Sequence, residues 1–99
     1  MDLFAEFVNK LQAKNVDDAL VQSLISAKSA LLLQLNGLIL TLDEESALQF
    51  LKISAKAYLN DADYALLEAN EDELLNFIKR YYAQQLQQPV LNRAFSMFW

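Results

Sequence analysis

The chain has 99 residues, with 20 Leu and 13 Ala set against one Gly, one Pro and no Cys, and a net charge of −5. That length supplies one core and no second, and the shortage of turn formers and β-branched residues argues against a sheet. The acidity argues against nucleic acid, and the missing Cys removes disulfides, thiolate nucleophiles and Cys-based metal sites.

The expectation is an all-α fold, a single bundle of four to six helices over residues 1–99. Its apolar fraction of 55% is too high for a disordered chain. Four spacings resemble capping boxes: Asn15 with Asp18, Thr41 with Glu44, Asn60 with Asp63, and Asn70 with Glu73. Each precedes an apolar run of helical period, so they mark four helix starts and assign most of the acids to helix building.

Leu3, Phe4, Phe7, Val8 and Leu11 predict a first helix over about 2–14, with Glu6, Lys10 and Lys14 opposite. A second is expected from Val16 to about Leu35, on a stripe of Leu20, Leu24, Ala27, Leu31 and Leu35. The small residues Ser23, Ser26, Ala27, Ser29 and Ala30 suit close approach of a neighbour, and Asn36-Gly37 suits a stop. Leu38 to Leu42 is too apolar for a solvated loop and is read as a buried connector; the alternative is a helix running through Gly37. A third helix then runs to about Leu59, with Leu48, Leu51, Ala55, Tyr58 and Leu59 inward. A short fourth, Asp61 to Ala69, buries Ala62, Ala65 and Leu66, and a fifth, Glu71 to about Gln87, uses Leu74, Leu75, Ile78, Tyr81, Tyr82 and Leu86. These two are separate helices or one with a kink. Pro89 stops the fifth and suits the first turn of a last short helix over 89–99.

The chemistry is sparse. There is no His, so the usual general base is missing, and the acidic clusters all fall in first turns, where the helix dipole accounts for them. No enzyme activity, cofactor or metal site is expected. Asp61-Ala62-Asp63 and Glu71-Asp72-Glu73 lack the Gly of a calcium loop. Comparison with acyl carrier proteins fails because no Asp-Ser-Leu is present. Lys79-Arg80-Tyr81-Tyr82 reads as a helix face rather than a base-stacking patch. The N-terminus has no basic leader, and the longest apolar stretch is shorter than a membrane span, so a cytoplasmic protein is expected.

The C-terminal segment is the exception. Val90, Leu91, Ala94, Phe95, Phe98 and Trp99 recur at helical spacing, with Met97 adding apolar area. It is expected to complete the core or to serve as a docking or dimerisation helix. The functional expectation is a protein-binding module of inhibitor, immunity or adaptor type, such as a small bacterial or phage accessory protein. Its expected surfaces are Leu91, Phe95, Met97, Phe98 and Trp99, with Asp61, Asp63, Glu71, Asp72 and Glu73 steering a basic partner. The alternatives are a self-associating homodimer, a carrier of a small apolar ligand or lipid, and a hydrolase using paired carboxylates.

Overall fold

In the computed structural model, which describes residues 2–87, the chain forms six helices, with no strand among those residues. The expected helix after Pro89, with Leu91, Phe95, Met97, Phe98 and Trp99, lies outside the described residues. The all-α expectation holds.

Helix α1 (Leu3–Ala13) begins at Asp2, whose carboxylate accepts from the N–H groups of Phe4 and Ala5 at 3.0 and 3.1 Å. Its five apolar positions, Leu3, Phe4, Phe7, Val8 and Leu11, are all buried. Asn15 ends it rather than starting the next helix. With φ of 60° it takes the left-handed position after the cap, its N–H donates to Gln12, and the Val16 N–H donates to Leu11. The next helix is instead capped by Asp17 through the Ala19 N–H at 3.1 Å.

The single long helix expected over 16–35 is two, α2 (Asp18–Ser26) and α3 (Lys28–Leu38), meeting at the buried Ala27. The small residues there supply a bend, and a shallow depression of about 270 Å³ remains beside Ser23, Ser26 and Ala27. Helix α3 runs through Gly37, which is exposed and helical, and a Cβ built on it meets nothing within 4 Å.

Thr41 does not cap α4 (Glu44–Ala55). Asp43 does, accepting from the Ser46 N–H at 2.8 Å. Leu38 is buried and Leu42 packs against the core, so the chain is held too close to the interior to begin a helix before residue 43. Helix α4 ends four residues early, in turns that leave Tyr58 exposed and bring Leu59 back to the core.

Asn60 caps α5 (Asp61–Ala69) as expected, accepting from the Asp63 N–H at 2.7 Å. The buried face of α5 is turned from the expected one. Asp63 and Leu67 are buried and Leu66 is half-buried, while Ala62 and Ala65 are exposed. One Leu hides more apolar area than an Ala pair loses, and Asp63, one turn before Leu67, is carried inward with it. Asn70 closes α5, its side-chain N–H donating to Leu66, and separates it from α6 (Glu71–Gln87).

The core centres on α1, α4 and α6. Phe77, absent from the expected stripe of α6, is its hub. It stacks on Phe7 at 5.4 Å between centroids and meets Phe4 edge-on at 5.9 Å. Leu86, expected inward, is exposed.

Replacing Gly37 with Ala should stabilise the protein by about 0.5–1 kcal/mol, because the position is helical and open. Phe77→Ala should cost about 3–5 kcal/mol through lost burial and a cavity. Urea unfolding of both variants checks the pair.

Candidate functional site

The carboxylates divide by what they face. Those at the start of α6 are engaged within the molecule. Lys52, a buried cation on α4, donates to Glu71 at 2.5 Å and lies 3.6 Å from Glu68. Lys14, at the end of α1, lies 3.0 Å from Glu73 and 3.7 Å from Asp72. Farther along, Arg80 pairs with Glu6, so α1 and α6 run antiparallel. Of the five acids expected to steer a partner, Glu71, Asp72 and Glu73 therefore bind cations of this chain, and Asp63 is buried with its carboxylate unpartnered among the described residues. Asp61 alone is exposed without an ion pair among those residues.

A second acidic cluster lies elsewhere, with Asp43 and Glu45 exposed and Glu44 half-buried. Asp43, Glu44 and Glu45 at the start of α4 make no ion pair among the described residues, and the Ser46 N–H holds Asp43 below the usual carboxylate range. This cluster adjoins the end of α6. The Tyr82 hydroxyl donates to the Leu42 carbonyl at 3.0 Å, and its acidity is weakened first by burial and then by Glu44 and Asp43. The Tyr81 hydroxyl donates to the Asn36 side-chain oxygen at 2.5 Å, so the last turns of α6 cross the end of α3. Among the described residues no acidic side chains gather as they do around a metal ion.

Helix α3 contributes the apolar surface. Leu35 and Leu38 face the core, and Leu31 and Leu32 pack at its edge. The opposite side carries Leu33, 75% exposed, and Leu40, in the turn just after α3, is 83% exposed. Leu86, one turn beyond Tyr82, is 73% exposed. Alongside α3 an open groove of about 380 Å³ is lined by Leu3, Phe4, Leu32, Phe77 and Tyr81, with the Asp2–Lys28 ion pair on its rim. The sequence signals this surface only in part: Leu31-Leu32-Leu33 and Leu38-Ile39-Leu40 are apolar runs, while the exposed side of α3 also carries Ser29 and Asn36 beside Leu33.

The enclosed cavity at the centre, lined by Phe4, Phe7, Leu24, Leu51 and Phe77 among others, measures about 20 Å³. That is room for about one water molecule and far from a lipid chain. No described helix is long and apolar enough to cross a membrane.

Compared with known protein families, curated proteins and solved structures, the chain matches none.

The Lys52 pair makes a prediction in pH. The hydrogen bond to Glu71 raises the ammonium above its ordinary 10.5, against the opposing effect of burial. The folded state thus favours the charged form, so the contribution is complete below pH 10.5 and is lost as pH rises through the raised value. Wild type should exceed Lys52→Met in urea midpoint at pH 7, and the gap should narrow above pH 10.5.

Proposed function

We propose that the protein is a protein-binding module, of inhibitor, immunity or adaptor type, that docks its partner through apolar surface and uses acidic helix starts to select it. The observation that carries this reading is exposed apolar surface, Leu33 on α3 and Leu40 in the turn just after it, with 75% and 83% of their surface exposed. Leu33 and Leu40 lie outside the core formed by the described residues, and desolvating them against a partner gains about 1.5–3 kcal/mol each.

The apolar C-terminal residues Leu91, Phe95, Met97, Phe98 and Trp99 enter the same proposal. They follow α6, whose last turns carry the exposed Leu86. Asp61 and the Asp43–Glu45 cluster supply charge of the sign expected for steering a basic partner. The small central cavity gives the carrier alternative no support.

The test is the double variant Leu33→Gln/Leu40→Gln. Both side chains are exposed, so its unfolding free energy should stay within about 0.5 kcal/mol of wild type. Wild type should retain a specific protein from extracts of the cells that make it, and the variant should lose it. Identical captured sets would overturn the reading. So would a wild-type dimer, seen by light scattering, that the variant dissociates, since the partner would then be a second copy.

A further inference from the structure

The open groove beside α3 and the apolar segment that follows α6 are neighbours along the chain. The groove, about 380 Å³, is lined by Leu3, Phe4, Leu32, Phe77 and Tyr81 and reaches Gln84, one turn before the end of α6. Its rings already pack on one another, Phe4 with Phe77 and Phe77 with Tyr81, each pair at 5.9 Å between centroids. Further aromatic side chains find ring faces and edges there. The polar groups at the groove are satisfied within the chain: Asp2 pairs with Lys28 at 3.2 Å, and the Tyr81 hydroxyl donates to Asn36. Covering the groove with apolar side chains therefore strands no charge and no hydroxyl. The segment after Pro89 supplies such side chains, since Leu91, Phe95, Phe98 and Trp99 recur at helical spacing. Its length also fits. From Gln84 back to Phe77 α6 rises about 10 Å, and residues 90–99 span about 15 Å as a helix.

We infer that residues 90–99 reverse at Pro89, run back along α6 and seat their aromatic side chains in this groove of their own chain. Pro89 disfavours continuation of α6 and so places the reversal. Only Gln88 and Pro89 tether the segment to α6, so it meets the groove at an effective concentration on the order of millimolar. A second copy, repelled by a net charge of −5, has no such advantage. The inference does not depend on the protein-binding reading. A partner that takes Leu91, Phe95, Met97, Phe98 and Trp99 has first to draw them out of the groove, which makes the seated segment an internal competitor for it.

Trp99 is the single tryptophan, so its emission reports on the segment in the unmodified full chain. That emission should be blue-shifted, shielded from acrylamide and unchanged on dilution. Leu32→Gln, on the groove wall, should raise the quenching constant about threefold. Ile53→Gln, on the exposed side of α4 and not a lining residue, should leave it unchanged. Proton NOEs then fix the place: ring protons of Phe95, Phe98 or Trp99 should contact the methyls of Leu3 or Leu32, and not those of Ile53. A Trp99 as accessible in wild type as in urea overturns the inference. So does an equal response to Leu32→Gln and Ile53→Gln, or the lack of ring-to-methyl contacts at Leu3 and Leu32. Shielding lost on dilution, or contacts found only between isotope-labelled and unlabelled copies in a mixed sample, overturns it in favour of a second copy. If circular dichroism shows that Leu32→Gln loosens the fold, the wild-type contacts decide alone.

Discussion

The antiparallel pairing of α1 with α6 is the constraint on which the other helices depend. It joins the two ends of the described chain through Phe77, held between Phe4 and Phe7. A stacked pair and an edge-on pair add directional preference to the burial they share. The ion pairs Glu6–Arg80 and Lys14–Glu73 lie along the same seam. Both are partly exposed, so they contribute little to stability. Their value is register: sliding α6 by a turn would separate both pairs and move Phe77 off Phe7. With that seam fixed, α4 closes the core from the other side through Lys52 and Glu71, and the chain between α1 and α4 fills the remaining space. The bend at Ala27 is how it does so, letting α2 meet α5 while α3 lies along α4.

Much of this was legible in sequence, and the failures share a cause. Period and composition located α1, α5 and α6 almost to the residue, because each has a strong stripe and a clean boundary. Two expected caps, at Asn15 and Thr41, failed, while Asn70 does stand before α6 as expected, with its carbonyl rather than its side chain accepting from the Glu73 and Leu74 N–H groups. Asn15 and Asn70 also suit helix ends, and the structure uses both in that way. Thr41 lost to Asp43 because Leu42 packs against the core first. Local spacing does not carry that information; tertiary packing decides it. The face of α5 turned for the same reason, since the burial of Leu67 outweighs that of Ala62 and Ala65. Phe77 was legible and missed: it lies three residues after Leu74 and one before Ile78, on the stripe already identified.

The acids show why a site made of charge is harder to read than a helix. Asp43 and the acids at the starts of α5 and α6 look alike in sequence, each in or before a first turn. In the fold they separate into caps, partners of buried or seam cations, and solvent-facing charge. The difference lies wholly in which lysine reaches them. Lys52 reaches Glu71 from α4, and Lys14 reaches Glu73 from α1, across separations that no local pattern encodes. Among the described residues, the carboxylates without an ion pair therefore lie away from the α6 start, at the starts of α2, α4 and α5.

That redistribution bears on why a helix such as α3 is tolerable in water. Uncovered leucines promote association without selecting a partner, because burial is non-directional. Charge supplies the selection. A molecule carrying −5 repels its own copies at a distance. In the proposed reading the same field would draw in a segment of opposite sign, and the leucines would hold what the charge admits. Apolar surface alone would leave self-association and partner binding on an equal footing. Acids beside it would tilt the balance toward a basic partner, which is the physical ground for proposing a binding module rather than a self-assembling one.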